Sequence, residues 1–328
     1  MSGFERNGYD MKKNIIRTLP ALIASVCIMT SCGANAGNGK ISETPDTHSE
    51  KNAASEAANG TTEKPADINT PVPPETEQPV KPTINQIDFS SVNNSGTGWG
   101  FKKTKGSEPE IYQKTKDMLA KYDAYYMDQT KPKALYLTFD EGYENGYTGA
   151  ILDTLKKCDV KAAFFITGGY LKTEKELIRR MIDEGHIVGN HTVNHPNLHK
   201  LSDPVKISAE LSELNRAVEE EFGYTMRYMR PPEGEYSERV LAVAQSSGFK
   251  TILWSFAYMD WDPQKQSGAA YAVEQVTPYF HDGEIILLHA VSSDNAAALE
   301  TIINNAKAQG YQFRSLDELK PADGSVSE

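Results

Sequence analysis

Cysteine is scarce in this sequence. Its 328 residues include three cysteines, and two of them, Cys27 and Cys32, lie close to the N-terminus. If the chain is cleaved just before Cys32, as argued below, Cys158 is the one other thiol that remains, so no disulfide framework can hold the folded part together. The pattern around Cys158 is helical, and we expect a buried free thiol there.

Basic residues are outnumbered. The chain has 34 Lys and Arg against 45 Asp and Glu, which gives a formal net charge of −11. Binding to a phosphate backbone is driven by clustered positive charge, and we therefore expect no nucleic-acid partner. A neutral or zwitterionic glycan stays compatible with this balance.

Long apolar runs are missing as well. The apolar stretch at residues 19–29 is shorter than the roughly 20 residues that a membrane-spanning helix needs. Basic residues precede it and Ser31, Cys32 and Gly33 follow it, which is the order of a signal peptide. The tetrapeptide at residues 29–32, which ends at Cys32, resembles a bacterial lipobox. We therefore expect lipidation of Cys32 and an extracytoplasmic protein, anchored to the membrane and facing the cell wall, or else secreted.

Composition divides the rest of the chain. After the predicted signal peptide at 1–32, residues 33–84 are rich in Ser, Thr, Glu and Pro and hold too few large apolar side chains to form a core, so we expect a disordered linker. Apolar residues then return at regular spacing. We expect an extension at 85–132 that packs on a catalytic domain at 133–320, and a tail at 321–328.

Short apolar runs alternate with helical patterns through the predicted domain. Seven runs rich in β-formers are predicted as strands, at 134–140, 161–167, 186–190, 226–230, 250–255, 284–289 and 311–315. Between the second and third, Thr173 and Glu176 are predicted to form a capping box that opens a helix. Such alternation indicates a parallel sheet, either open and doubly wound or closed as a barrel. Polar residues at the ends of several strands favour the barrel, where all those ends share one rim.

Two of these polar groups point to metal chemistry. Asp140 and Glu141 end the first predicted strand, and His191 and His195 follow the third. On a helical turn, a spacing of four residues would put both imidazoles on one face, where they can grip one metal ion. Two histidines and one carboxylate leave coordination positions open for water and substrate, as a hydrolytic metal requires. His199 continues the spacing, and we expect it to be structural.

Three later strand ends carry further candidates. Arg230, which two prolines and a glycine follow closely, can pair with a carboxylate and keep it ionised. Trp261 offers a flat apolar face to a sugar ring and follows Asp260. His289 emerges from an apolar run and is suited to proton donation when an acidic neighbour keeps it charged. His186 and His281 lie at strand starts and are expected to be structural.

Taken in order, these stretches resemble the polysaccharide deacetylase family, the NodB-homology group of carbohydrate esterases. Five motifs carry the resemblance, at residues 138–143, 191–195, 230–234, 260–261 and 287–289. The family fold is an irregular (β/α)7 barrel, which agrees with the seven predicted strands.

The resemblance implies a role for each motif residue. Asp140 would be the general base, steadied by Arg230, and His289 the general acid, held and charged by Asp260. The metal ligands would be Glu141, His191 and His195, around one divalent ion, with zinc expected first and cobalt, manganese or magnesium as alternatives. Asp140 would deprotonate a metal-bound water that attacks the acetamide carbonyl, and His289 would protonate the departing amine. The substrate-binding residues would be Tyr143, Pro231, Trp261 and Leu287.

Glu141 departs from the family pattern, because most members have Asp at that position, and the extra methylene puts metal affinity and choice in question. Further stretches at 98–103, 143–148, 256–261 and 291–295 look like the subgroup of delta-lactam-biosynthetic de-N-acetylases. That resemblance implies removal of acetyl from N-acetylmuramic acid in peptidoglycan, after which the amine can close to muramic delta-lactam, as in spore cortex.

Two alternatives stay open. Within enzymes, the chain could deacetylate N-acetylglucosamine of peptidoglycan or chitin oligomers. In another class, it could be a non-catalytic wall-binding lipoprotein if Glu141 fails to hold metal. The expected partners are peptidoglycan strands and, through the lipid anchor, the membrane, and the expected state is a monomer.

Overall fold

The computed structural model describes residues 88–320 of the chain. The predicted signal peptide with Cys32, the whole predicted linker, residues 85–87 of the predicted extension and the tail at 321–328 lie outside the described residues. No helix within 88–320 combines the length and the apolar character needed to cross a bilayer.

Strands and helices alternate along the described chain. The strands are β1 (Thr97–Gly98), β2 (Ala124–Tyr125), β3 (Ala134–Glu141), β4 (Ala163–Ile166), β5 (Ile187–Asn190), β6 (Tyr228–Met229), β7 (Glu235–Tyr236), β8 (Lys250–Ile252), β9 (Phe256–Ala257), β10 (Glu284–His289) and β11 (Gln312–Phe313). The helices are α1 (Gln113–Lys121), α2 (Thr148–Lys157), α3 (Gly168–Thr173), α4 (Lys175–Asp183), α5 (Pro204–Phe222), α6 (Glu238–Ser246), α7 (Ala269–Val276) and α8 (Ser293–Ala308). Single 3-10 turns lie at Leu198–Lys200, Pro232–Gly234, Thr277–Tyr279 and Leu316–Glu318.

One parallel sheet carries the fold. Its strand order is β2-β8-β6-β5-β4-β3-β10-β9, and β11 also pairs with β3. The sheet curls into a half-barrel, which confirms the predicted α/β barrel-like fold. The seven predicted strands correspond to β3, β4, β5, β6, β8, β10 and β11. The sequence analysis did not predict β2 and β9 of this sheet, which have two residues each.

Both faces of the sheet are buried. Leu135, Leu137 and Phe139 of β3 belong to the large core between sheet and helices, whereas Tyr136 belongs to a smaller core with Phe165 and other residues inside the half-barrel. Successive side chains of a strand point to opposite faces, so odd-numbered residues of β3 face the helices and even-numbered residues face the interior. Helices covering a parallel sheet explain why β3 is buried along its whole length.

The predicted capping box at Thr173–Glu176 is wrong. Thr173 is the last residue of α3, and α4 begins at Lys175 without a side-chain cap. Thr167, directly after β4, instead caps the separate helix α3 by accepting the N–H of Tyr170 with its side chain. Cys158 is a free thiol as predicted, but it is half-buried and lies just past the end of α2.

The residues that precede β3 pack against the rest of the fold. β1 pairs antiparallel with β7, and the indole N–H of Trp99 donates to the carbonyl of Trp254 at 2.8 Å. The backbone N–H of Trp99 donates to Gly234 at 2.9 Å. Gly234 has a φ of 66°, and a Cβ there would lie 2.7 Å from the Trp254 ring, so glycine is required. This contact fixes the loop that follows Arg230.

Candidate active site

Five strands deliver the predicted site residues to one edge of the sheet. β3 and β10 end at Glu141 and His289, and their register places Asp140 beside His289. His191, Arg230 and Asp260 follow β5, β6 and β9. Since these strands are parallel, their C-terminal ends form one rim, and the site is built there.

Asp140 and Arg230 form a buried ion pair. The Nη1 atom of Arg230 donates to Oδ1 of Asp140 at 2.7 Å, and the arginine side chain is fully buried. Burial alone would raise the pKa of the Asp140 carboxyl. The positive charges of Arg230, His191 and His289, with the Arg230 hydrogen bond, outweigh burial, and the pKa lies below its usual value. Asp140 is therefore ionised at neutral pH.

The guanidinium of Arg230 is fixed by more than its ion pair. It donates to the Thr138 hydroxyl at 2.9 Å, to the Ile252 carbonyl at 3.0 Å and to the Leu253 carbonyl at 3.3 Å. Its carbon lies 4.2 Å from the ring centre of Phe165. A planar group with several donors suits this pocket better than the point charge of lysine would.

His191 and His195 come together, but not on a helix as predicted. The chain bends after β5, with positive φ at Thr192 and His195. The Asn190 side chain accepts the N–H of Thr192, and the Thr192 hydroxyl accepts the N–H of His195, which closes the bend locally. The two ring centres are 4.8 Å apart.

The imidazole of His191 is oriented by the backbone. Its Nδ1–H donates to the carbonyl of Arg230 at 2.9 Å, which leaves the Nε2 lone pair 3.6 Å from Oδ2 of Asp140. Burial lowers the pKa of His191. His195 lies at the solvent edge, where the surrounding protein and the charge of His191 lower its pKa to about 4. Both rings are neutral near pH 7, as metal ligands must be.

Asp260 and His289 form a second pair across the rim. The Nδ1–H of His289 donates to Oδ1 of Asp260 at 2.8 Å, and the His289 backbone N–H donates to Oδ2 at 2.8 Å. Burial would lower the pKa of His289, but the charge and hydrogen bond of Asp260, with the charge of Asp140, raise it. Its Nε2 atom is free to face a substrate because the bond at Nδ1 sets the orientation of the ring.

Glu141 is not grouped with the two histidines. Glu141 is an odd-numbered residue of β3, so its side chain is on the face of the strand toward the helices, whereas that of Asp140 is on the face toward the interior of the half-barrel. The Glu141 side chain is fully buried, and neither carboxylate oxygen has a hydrogen-bond partner. Burial and the charges of Glu144 and Asp140 raise its pKa well above the usual value. No group of three or more His, Cys, Asp or Glu within residues 88–320 is spaced to hold a metal ion.

The remaining residues considered in the sequence analysis are the four predicted substrate-binding residues and His199. Tyr143 is 52% exposed and Trp261 is half-buried, with its ring centre 5.9 Å from that of His289. Pro231 and Leu287 are buried beside Arg230 and His289 in the chain. His199 pairs with Glu235 at 3.3 Å, beyond the rim.

The two histidines at strand starts have structural partners, as predicted. The Nδ1 atom of His186 accepts the N–H of Ala162, and His281 bonds Ser255 and the Tyr279 carbonyl. Two further residues of the rim were given no role from the sequence, namely Tyr258 and Asn295. The side-chain amide of Asn295 donates to Asp260 at 2.6 Å. In the sequence, the one indication of its importance is that it lies in the stretch 291–295, which resembles the delta-lactam-biosynthetic subgroup.

The chain is similar in sequence to known proteins. Residues 127–252 match the family model described as polysaccharide deacetylase. A protein of Bacillus subtilis, peptidoglycan-N-acetylmuramic acid deacetylase PdaA, is 44% identical over 232 residues, which are 70% of this chain and 88% of PdaA. An uncharacterized 30.6 kDa protein of Geobacillus stearothermophilus is 47% identical over 70% of this chain and 87% of its own.

A solved structure shares the fold. The structure of B. subtilis PdaA, titled a family 4 carbohydrate esterase, superposes with a TM-score of 0.67 at 44% identity, over 70% of this chain and 98% of that chain. A family 4 carbohydrate esterase from Bacillus anthracis matches with a TM-score of 0.59 at 40% identity, over the same shares of the two chains.

Proposed function

The chain belongs to the polysaccharide deacetylase family, and from that premise we propose that it removes the acetyl group of N-acetylmuramic acid in peptidoglycan. It is a hydrolase of non-peptide amide bonds. The choice of muramic acid is supported by the 44% identity to PdaA, which extends over 88% of that protein.

One observation carries the catalytic part of the proposal. An ionised carboxylate and a histidine that is readily charged stand side by side on neighbouring strands, each held by its own partner. A base and an acid with pKa values pushed apart are what amide hydrolysis needs, because one proton must leave the water and another must reach the departing amine. A groove that only bound glycan would require neither.

Asp140 is the proposed base. Its Oδ1 atom is engaged by Arg230, so Oδ2 is the oxygen that can accept a proton from the attacking water. Arg230 keeps the carboxylate ionised between turnovers and fixes its direction. Once protonated, Asp140 sits beside a fully buried guanidinium that favours loss of the proton again.

His289 is the proposed acid. Asp260 holds Nδ1–H, which directs Nε2–H at the nitrogen of the substrate. The amide nitrogen must gain a proton as the C–N bond breaks, since an amine anion is too basic to leave. Acetate and a free amino sugar result. We propose delta-lactam formation as the fate of the product: the amine of muramic acid attacks the carboxyl carbon of its lactyl group, the C–O bond of that carboxyl breaks, and water leaves.

We propose that the reaction depends on a divalent metal ion. The donor chemistry fits such an ion, because two neutral imidazoles, of His191 and His195, share the rim with a carboxylate oxygen of Asp140. Glu141 stays the proposed carboxylate ligand, which requires its side chain to turn from the helix-facing side of β3 toward the two imidazoles, and both of its oxygens are buried without a hydrogen-bond partner. When bound, the ion would polarise the acetamide carbonyl and stabilise its developing negative charge.

The proposed substrate contacts are the exposed ring of Tyr143 and the half-buried ring of Trp261, whose ring centre lies 5.9 Å from that of His289, with Pro231 and Leu287 as apolar contacts. We further propose that the protein acts outside the cytoplasm and that Cys32 carries its lipid anchor. Mass analysis of the N-terminal peptide from membranes tests the anchor.

The decisive experiment is mass spectrometry of muropeptides after incubation of peptidoglycan with the purified protein, with and without chelator. We expect muramic residues to lose acetyl in the metal-replete sample alone. Loss of acetyl from glucosamine residues instead would indicate an N-acetylglucosamine deacetylase. Peptidoglycan that stays unchanged in the presence of several divalent metals would reject the proposed function.

A further inference from the structure

Asp260 does not hold His289 by itself. The carboxylate of Asp260 accepts three hydrogen bonds, two from His289 and the third from the side-chain amide of Asn295. Asn295 lies in the first turn of α8 and is buried, with 1% of the residue exposed. The proposed acid–base chemistry gives Asn295 no direct role, although its side chain is hydrogen-bonded to Asp260.

The amide of Asn295 can have only one orientation. Its Nδ2 atom donates to Oδ2 of Asp260 at 2.6 Å and to the His289 carbonyl at 3.2 Å, and both partners are acceptors. Its Oδ1 atom accepts the hydroxyl of Tyr258, a buried residue two positions before Asp260. Donor and acceptor ends are thus both assigned, and the side chain cannot flip without losing three hydrogen bonds.

The same helix end is tied to the loop that carries Asp260. Ser292 caps α8 by accepting the N–H of Asn295 at 3.1 Å, and its hydroxyl donates to Gln266 at 2.7 Å. The amide of Gln266 in turn donates to the carbonyls of Asp260 and Asp262. These hydrogen bonds tie the loop after β9 to the first turn of α8.

From this geometry we propose that Asn295, supported by Tyr258, is a positioning residue for the general acid. It anchors Oδ2 of Asp260 so that Oδ1 stays aimed at Nδ1 of His289, which keeps Nε2–H directed at the leaving amine. Asn295 acts through Asp260 and does not touch the substrate. The inference rests on the proposed deacetylation, in which His289 is the acid.

The test uses a variant that keeps shape and removes one donor. Asn295→Asp replaces the Nδ2 donor by a carboxylate oxygen, which removes the hydrogen bond and places a second negative charge against Asp260, while it preserves side-chain volume and the contact with Tyr258. Tyr258→Phe removes the hydroxyl at the other end. Asn305→Ala is the control, because Asn305 lies on the same helix and makes one long hydrogen bond of 3.4 Å to Thr277, away from the rim. Melting temperatures establish that each variant is folded.

Two substrates separate positioning from general damage. Loss of a hydrogen bond to a charged group should lower kcat on muropeptide amide about 10- to 100-fold for Asn295→Asp, with KM within about 2-fold of wild type. With 4-nitrophenyl acetate, whose leaving group departs without a proton, the same variant should stay within about 3-fold of wild type. Tyr258→Phe should show the same pattern with a smaller loss, and Asn305→Ala should match wild type on both substrates.

Either of two results overturns the inference: equal losses on the amide and on the ester in a folded Asn295→Asp protein, or full amide activity in that variant. A substrate-free measurement keeps it separate from the proposed function. In wild type, the Nδ1–H proton of His289 should give a protected downfield NMR signal, and Asn295→Asp should lose it. If wild type leaves muropeptides unchanged, the function fails, while that signal still decides whether Asn295 positions His289.

Discussion

Replacing Asp140 by Asn removes one negative charge from the rim and changes little else in shape. In the native protein, the charge faces Arg230 at 2.7 Å, and that guanidinium is fully buried, with backbone carbonyls and a hydroxyl as its other partners. Asparagine can still accept a hydrogen bond. It cannot neutralise the guanidinium, which would then be a buried charge without a counterion.

Two magnitudes follow from this geometry. Breaking a buried ion pair by removing one partner costs about 3–5 kcal/mol of unfolding free energy, because the other charge stays desolvated. Losing a general base lowers the rate by about 10²- to 10⁴-fold. Asp140→Asn should therefore be both less stable and nearly inactive at neutral pH.

The stability loss should depend on pH in a defined direction. The folded-state pKa of Asp140 lies below its usual value of 3.8. A depressed pKa contributes stability that is present above the unfolded-state pKa and is lost as the pH falls through the folded-state value. The difference between wild type and Asp140→Asn should thus be full above about pH 5 and should shrink as the pH falls below about 4.

Urea unfolding of both proteins at several pH values measures this difference. Asp153→Asn is the matched control, since Asp153 pairs with Arg180 at 2.5 Å but its side chain is 74% exposed, so its loss should cost less than about 1 kcal/mol. Equal stability of Asp140→Asn and wild type at pH 7, or a difference that grows toward acid, would refute the assigned role of the pair.

Three further predictions concern acid, metal and substrate. The amide-hydrolysis rate should fall as the pH rises past the pKa of His289, which lies above 6.5, and a pH–rate profile with a basic limb below 6.5 would contradict this. Replacing His191 or His195 by Ala should lower the bound divalent metal measured by plasma mass spectrometry, and wild type should release its metal below about pH 4, where His195 is protonated. Tyr143→Ala should raise KM about 3- to 10-fold with kcat little changed, and an unchanged KM would remove the ring from the substrate site.

The rim could be predicted from sequence because it depends on topology. Once strands are known to be parallel and alternate with helices, their C-terminal residues must share one edge. That argument placed Asp140, Arg230 and His289 together although they lie far apart in the chain, and the structure places them there.

Local conformation was harder to predict. The spacing of His191 and His195 resembles a helical turn, but hydrogen bonds of the Asn190 and Thr192 side chains to backbone N–H groups form a bend that brings the rings together by another route. Such side-chain to backbone bonds compete with helix formation and leave no periodic trace.

The direction of the Glu141 side chain follows from the geometry of β3, which the sequence motif by itself does not show. Adjacent residues on a strand point to opposite faces, so Asp140 and Glu141 diverge as long as the strand stays regular to its end.

The roles proposed for Tyr258 and Asn295 could not be predicted from the sequence. Each is an ordinary polar residue, and only the packing of α8 against the loop after β9 reveals that one holds the other against Asp260.

Acetate release from purified peptidoglycan, measured alongside the number of new free amines and delta-lactams on the sugars, tests most directly whether one rim supplies base and acid to a single amide. In wild type, the acetate released should equal the sum of free amines and delta-lactams formed on the sugars. Asp140→Asn and His289→Gln should each form none of these products at a comparable rate. Acetate release with neither new amines nor delta-lactams, or full activity in either variant, would contradict the account.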